Sequence, residues 1–73
     1  MEYQKISILT PTYNRSKFLP LYLYNIKNQS YPHKYLDVII DDDGDEPFIT
    51  NLDEVREFLF PIKLTYLRYI NEL

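Results

Sequence analysis

The clearest strand and turn signals of the sequence lie in the segment of residues 36–47, which reads Leu36-Asp37-Val38-Ile39-Ile40 and then Asp41-Asp42-Asp43-Gly44-Asp45-Glu46-Pro47. Its first part is a nearly continuous apolar run, which predicts a strand buried on both faces, as in a parallel sheet. Its second part is rich in Asp and contains Gly and Pro, which is typical of a turn. The sequence therefore predicts a buried parallel strand whose carboxyl end opens into an acidic turn.

The segment before this strand predicts one more strand and one helix. Ile6-Ser7-Ile8-Leu9 is rich in β-branched residues and predicts a first strand, which Pro11 stops. Ser16 can cap a helix that carries Pro20 in its first turn. The apolar positions of this helix recur at i, i+3, i+4 and i+7 and define one buried face: Leu19, Tyr22, Leu23 and Ile26. Residues 28–32 end the helix, because the residue before a proline avoids the helical region.

The segment after the acidic turn predicts a second helix and a third strand. Asn51 or Asp53 can begin the helix, and Pro61 ends it. Its apolar stripe is formed by Leu52, Val55, Phe58 and Leu59. Residues 62–69 alternate apolar and polar side chains and predict the third strand. Since right-handed crossovers make successive strands parallel, we expect an α/β fold: a three-stranded parallel β-α-β-α-β sheet with strand order 3-2-1, which is half of a Rossmann-like fold.

The domain organisation follows from this order of elements. We expect residues 1–73 to form a single partial domain, truncated after the third strand. Strand one would then be an exposed apolar sheet edge, which favours aggregation. The remainder of an enzyme or a partner chain is therefore expected to cover strand one.

Composition excludes several classes of function. The chain has 73 residues, a net charge of −3 and no cysteine. The acidic excess argues against nucleic-acid binding, and His33, the single histidine, has no partners for a zinc site. The longest apolar run, residues 19–26, is shorter than the roughly 20 residues that span a bilayer, and the amino terminus lacks a signal-peptide pattern. We therefore expect a cytoplasmic, intracellular protein with no transmembrane segment and no nucleic-acid partner.

Two loops that follow neighbouring strands are the candidate site. They are Thr10-Pro11-Thr12-Tyr13-Asn14-Arg15 after strand one and residues 41–45 after strand two. Ligands of open α/β sheets bind outside the carboxyl ends of the strands. An aromatic ring, an amide, a guanidinium and several carboxylates would therefore share one rim.

Four short motifs follow one another in this part of the chain. Pro11-Thr12-Tyr13-Asn14-Arg15 is followed by Gln29-Ser30-Tyr31-Pro32, and Val38-Ile39-Ile40 then leads into Asp42-Asp43-Gly44. This ordered set, over about residues 5–45, resembles the opening of family-two glycosyltransferases with the GT-A fold. The resemblance implies transfer of a sugar from a nucleoside-diphosphate sugar, most often a UDP-sugar, to the hydroxyl of an unidentified acceptor.

The resemblance also implies roles for individual residues. Pro11 and Tyr13 would contact the base or the ribose, since a tyrosine offers a face on which a base can stack. Asp43 would accept a hydrogen bond from a base N–H, because a carboxylate can only accept. Asn14 and Asp42 belong to the same nucleotide-binding set. We therefore expect this chain to supply the nucleoside pocket.

Other parts that the resemblance implies fall outside this chain. The family's metal-binding Asp-x-Asp and its catalytic base lie further along, so no catalytic residue and no metal ligand is assigned here. A divalent cation, magnesium or manganese, is expected for the full enzyme, and the isolated chain is expected to be inactive. Asp41 stands where the family has an apolar residue, and Asp45 stands where it has Ser. These extra acids are unfavourable beside a diphosphate unless a cation or an outward orientation compensates.

Other interpretations of the same residues stay open. The acidic turn can hold magnesium, as in a receiver-like domain, although an EF-hand loop fails because Ile39 and Thr50 would stand at its first and last positions. It can also be a solvated turn whose Asp side chains satisfy their own backbone. The chain can be a non-catalytic α/β remnant or interaction module that pairs through its open edge. Tyr13 equally suits packing, and Asn14 suits a loop former.

Overall fold

The computed structural model describes residues 3–68, which form a three-stranded parallel sheet and two helices. The strands are β1 (Ile6–Thr12), β2 (Leu36–Asp42) and β3 (Lys63–Arg68), and the helices are α1 (Leu19–Lys27) and α2 (Leu52–Leu59). Short 3-10 helices at Ser16–Phe18 and His33–Tyr35 precede α1 and β2. β2 lies between β1 and β3, so the sheet reads β1-β2-β3 from one edge and 3-2-1 from the other. The predicted α/β class with three parallel strands is confirmed.

The core lies between the sheet and a single layer of helices. Ile26 of α1 and Val55 and Leu59 of α2 are buried in one cluster with Val38 and Ile40 of β2. Two right-handed crossovers that step in the same direction place both helices on the same face of the sheet. This arrangement leaves the opposite face without a helix in the described part of the chain.

The prediction that β2 is buried on both faces is wrong for residues 3–68. Leu36, Val38, Ile40 and Asp42 point to the helices and are buried, whereas the alternate positions Asp37, Ile39 and Asp41 are only half-buried. An apolar run predicts a strand between two covering layers, but only one layer is present here. The opposite face of β2 is therefore open to a further covering segment.

β1 is longer than the sequence predicts. It continues through Pro11 to Thr12, whereas the prediction stopped it at Pro11. Proline is tolerated in an edge strand because one side of such a strand needs no ladder hydrogen bonds. Within residues 3–68, β1 pairs with β2 alone, and Leu9 on it is 68% exposed. The predicted exposed apolar edge is therefore present in this structure.

The start of α1 differs from the prediction. Ser16 does not cap it, because a 3-10 turn intervenes and Phe18 occupies the cap position without a side-chain bond. Pro20 does lie in the first turn, and α1 ends at Lys27, before residues 28–32, as predicted. The predicted apolar face is also confirmed: Ile26 is buried, and Leu19, Tyr22 and Leu23 pack against the core.

α2 and β3 lie close to their predicted positions. Asn51, not Asp53, is the helix cap, and its Oδ1 accepts a hydrogen bond of 3.2 Å from the N–H of Glu54. Phe58 departs from the predicted apolar stripe, since it is 41% exposed. β3 begins one residue later than predicted, and its predicted last residue, Tyr69, lies outside the described residues. Neither α1 nor α2 has the length and apolar character needed to cross a bilayer.

Candidate functional site

The candidate site lies where the three parallel strands end level with one another. The pairing register aligns Thr12 of β1 with Asp42 of β2, and Asp42 with Arg68 of β3. Two loops leave this edge: the first loop, residues 13–15, and the acidic loop, residues 43–47. This is the edge at which open α/β sheets bind their ligands.

The two loops are joined by hydrogen bonds. The N–H of Asp43 donates to the carbonyl of Thr12 over 3.0 Å, which extends the contact between β1 and β2 by one residue. The side-chain oxygen of Asn14 accepts from the N–H groups of Asp45 and Glu46, over 2.8 and 3.2 Å. Asn14 has a positive φ of 50°, a conformation that Asn tolerates better than most residues. The first loop therefore holds the acidic loop by its backbone.

Gly44, the single glycine of the sequence, lies against Asn14. A Cβ atom at position 44 would be 2.5 Å from the backbone nitrogen of Asn14 and 2.7 Å from its Oδ1. These distances are shorter than van der Waals contact, so a side chain at position 44 would push the loops apart. The close approach of the two loops therefore requires glycine here.

Asp42 is the centre of the hydrogen-bond network at this edge. Its carboxylate is 1% exposed and accepts from four donors: the Tyr66 hydroxyl at 2.5 Å, the Phe48 N–H at 2.8 Å, Arg68 Nη1 at 3.0 Å and the Gly44 N–H at 3.1 Å. Burial alone would raise the pKa of this carboxyl, but the four donors outweigh it and hold the pKa of Asp42 at about 2. Asp42 is therefore charged at neutral pH although it is buried.

Tyr66 and Arg68 reach this network from β3. Burial, and then the hydrogen bond to Asp42, raise the pKa of the Tyr66 hydroxyl. The same hydroxyl accepts from the N–H groups of Phe48 and Ile49, at 3.1 and 3.3 Å. Arg68 donates to Asp42 and also to two backbone carbonyls of the acidic loop. Sequence reasoning missed both residues, and the available signal was that they end a strand adjacent to the acidic one.

The acids of this region point in different directions and do not form one cluster. Asp42 faces the helices, whereas Asp41 faces the open side of the sheet, where its Oδ1 is buried without a hydrogen-bond partner. Asp43, Asp45 and Glu46 are exposed on the acidic loop. Within residues 3–68, no group of three or more His, Asp or Glu side chains is arranged to hold a metal ion.

All five residues predicted to bind the nucleotide lie at this one edge. Pro11, Tyr13 and Asp43 are exposed, with Tyr13 at 60%. The side-chain oxygens of Asn14 and Asp42 are instead occupied by hydrogen bonds within the protein. Three of the five side chains are therefore free to meet a ligand, and two hold the loops.

A small cavity adjoins the first loop on the helix side of β1. Its volume is about 180 Å³, and it is lined by Thr10, Pro11, Thr12, Arg15, Phe18, Tyr22 and Phe48. The hydroxyls of Thr10 and Tyr22 lie 2.6 Å apart at its wall, and burial raises the pKa of Tyr22 although this hydrogen bond opposes the shift. Pockets that enclose a whole small molecule measure roughly 300–1,000 Å³. This cavity therefore suits one part of a ligand.

The chain is similar in sequence to a segment of a known synthase. The chain is 40% identical over 63 residues to chondroitin synthase of Escherichia coli, a glycosyltransferase, and the match covers 86% of this chain. The chain spans about 9% of the length of that relative. No protein-family model matches the chain. No solved structure matches it. The chain therefore resembles a segment of a glycosyltransferase.

Proposed function

We propose that this chain forms the nucleoside pocket of a glycosyltransferase of the GT-A type, which transfers a sugar from a nucleoside-diphosphate sugar to an acceptor hydroxyl. The observation that carries the proposal is the contact between the first loop and the acidic loop at the carboxyl edge of the sheet. The N–H of Asp43 donates a 3.0 Å hydrogen bond to the carbonyl of Thr12 at this contact. The similarity to a segment of chondroitin synthase supports the glycosyltransferase part of the proposal.

Tyr13 and Asp43 carry the chemistry of this proposal. They are consecutive with the paired positions Thr12 and Asp42, so their backbones lie side by side, and both side chains are exposed. The Tyr13 ring supplies a stacking face for a base, and the Asp43 carboxylate accepts from a base N–H. A base whose edge carries an N–H hydrogen-bond donor, such as uracil, suits this pair of residues. We therefore propose a UDP-sugar as the substrate that donates the sugar.

Neighbouring residues fix the backbone of the two loops that carry Tyr13 and Asp43. Asn14 and Gly44 bring the loops into contact, and Asp42 fixes the start of the acidic loop through hydrogen bonds. Pro11 lines the adjoining cavity, which would take part of the ligand. Asn14 and Asp42 therefore act in this proposal by shaping the pocket.

The rest of the reaction is assigned to other parts of a larger enzyme. A magnesium or manganese ion, bound elsewhere, would stabilise the diphosphate leaving group, and another acid would activate the acceptor. The open face of the sheet would pack against another polypeptide segment, as would the edge of β1, which pairs with β2 alone within residues 3–68 and carries the exposed Leu9.

Binding of UDP to the 73-residue chain tests the proposal. We expect UDP to shift the NMR signals of the Asp43 amide, and Tyr13→Ala to weaken binding about tenfold, because base stacking is worth roughly 1–3 kcal/mol. Tyr24→Ala is the matched control, since Tyr24 on α1 is 64% exposed, close to the 60% of Tyr13. Equal weakening by the two variants, or no binding of UDP at millimolar concentration, would contradict the proposal.

A further inference from the structure

Arg68, at the end of β3, makes a set of contacts that the proposed pocket does not explain by itself. Its guanidinium donates through Nη1 to Asp42 at 3.0 Å and to the carbonyl of Gly44 at 2.9 Å, and through Nη2 to the carbonyl of Asp45 at 2.9 Å. The side chain is 23% exposed. Two of its three acceptors are backbone carbonyls, so Arg68 fixes the path of the acidic loop as well as neutralising Asp42.

The acidic loop is held from two opposite sides. Arg68 binds the carbonyls of Gly44 and Asp45, and Asn14 binds the N–H groups of Asp45 and Glu46. Two successive peptide units of the loop, Gly44–Asp45 and Asp45–Glu46, are therefore each held through the carbonyl by β3 and through the N–H by the first loop. A planar guanidinium holds its N–H donors in a fixed geometry, so it can bind several acceptors at once better than the flexible ammonium group of lysine can.

The loop that Arg68 grips also carries repelling charges. Asp43, Asp45 and Glu46 are exposed neighbours, and Asp42 lies buried beneath them. Neighbouring like charges favour a spread, mobile loop. The positive charge of Arg68 compensates the negative charge of the buried Asp42, and its two hydrogen bonds to backbone carbonyls oppose the spreading of the loop. Asp43 is then the one acid of the loop that directly follows β2, beside the first loop.

We propose that Arg68 is a positioning residue for nucleoside binding: it acts through the acidic loop, which it holds so that Asp43 meets the base, and it does not contact the ligand. The inference rests on the proposed function of the pocket. Its loop-ordering part stands on the hydrogen bonds of Arg68 alone.

Arg68→Gln and Arg68→Lys separate positioning from charge. Arg68→Gln removes the charge and the fork, and Arg68→Lys keeps the charge but loses the fork. We expect both variants to speed hydrogen exchange at the amides of Asp45 and Glu46, after correction for global stability, and to weaken UDP binding about tenfold. Arg56→Gln, on the exposed surface of α2, is the matched control and is expected to change neither quantity.

A second variant approaches the same loop from the other side. Asn14→Gly removes the Oδ1 acceptor while it retains a residue that accepts the positive φ of 50°. We expect the amides of Asp45 and Glu46 to exchange faster in this variant too. The result tests the hydrogen bonds that hold the acidic loop from the first loop, with Arg68 unchanged. This variant also remains informative if Arg68→Gln fails to fold.

The outcomes divide cleanly between the two proposals. If Arg68→Lys restores both loop protection and UDP affinity, charge is sufficient and the positioning role is overturned. Unchanged exchange at Asp45 and Glu46 in both Arg68 variants overturns it as well, whatever Asn14→Gly does, because Asn14 itself accepts the hydrogen bonds of these two amides. If wild-type chain does not bind UDP but the variants do loosen the loop, the ordering role of Arg68 stands and the proposed nucleoside function fails.

Discussion

Acid is expected to destabilise this fold through Asp42, because the acidic loop and β3 converge on its carboxylate. The folded-state pKa of Asp42 is about 2, below the ordinary value of 3.8, because four hydrogen-bond donors outweigh the effect of burial. A carboxyl whose pKa is lower in the folded state stabilises the fold above its unfolded-state pKa. That stabilisation is lost as the pH falls through the folded-state pKa, so the window runs from about pH 5 to about pH 2.

The size of the effect follows from the two pKa values. The difference between 3.8 and about 2 corresponds to about 2.5 kcal/mol, since each pKa unit is worth about 1.4 kcal/mol. A domain of 73 residues has a free energy of unfolding of only about 5 kcal/mol, so this group accounts for a large share of it. Tyr66→Phe removes one of the four donors. We expect it to raise the pKa of Asp42 and to cost about 1–2 kcal/mol at pH 7.

Two measurements check this reasoning. Carbon-13 NMR of the carboxyl group gives the pKa of Asp42 directly, and urea unfolding between pH 7 and pH 2.5 gives the free energy of unfolding. Asp45→Asn is the matched control, because Asp45 is exposed on the same loop. This prediction is contradicted if Asp42 titrates at or above pH 3.8, or if Tyr66→Phe leaves the pKa of Asp42 unchanged. It also fails if Asp45→Asn flattens the pH dependence of stability as much as Asp42→Asn does.

Two further predictions concern the helix layer and the sheet edge. Lys27→Met is expected to lower the free energy of unfolding by about 1 kcal/mol in urea titrations. The reason is that Lys27 Nζ donates hydrogen bonds to the carbonyls of Phe58 and Phe60 at the end of α2, over 2.8 and 3.2 Å. An equal loss of stability in the exposed control Lys17→Met would contradict this prediction. Leu9→Lys is expected to leave the melting temperature unchanged and to reduce self-association in sedimentation, because Leu9 is 68% exposed on β1, an edge strand that pairs with β2 alone in the described part of the chain. A wild-type chain that stays strictly monomeric at high concentration would argue against an adhesive edge.

The sequence was sufficient for the fold class because its signals are local. Apolar runs and helical periodicity predicted three strands and two helices, and the Asn51 cap and the end of α1 were confirmed. The start of α1 was wrong because a 3-10 turn competes with the cap that Ser16 offers. Burial of both faces of β2 was wrong for residues 3–68 because an apolar run does not specify how many layers cover it.

The candidate site was predicted only in outline. The sequence brought both loops to one edge, but it treated Asp42 as one acid among several in a turn. Its burial depends on Arg68, which lies 26 residues away, and on Tyr66, which lies 24 residues away. Neither partner is visible in a local pattern. The number of donors around a carboxylate, and hence its pKa, is a property of the packed sheet.

The contact between Asn14 and Gly44 has a consequence for sequence variation among related proteins. A Cβ at position 44 would collide with the backbone nitrogen of Asn14 as well as with its side-chain oxygen, so position 44 requires glycine whichever residue stands at position 14. We therefore expect glycine at 44 wherever the first loop keeps this path, and a larger residue only together with a changed path of the loop. A mutational scan of both positions would then show that substitutions at 44 are costly in the background of any residue at 14, although the two positions lie 30 residues apart, since the atom nearest to the added Cβ belongs to the backbone.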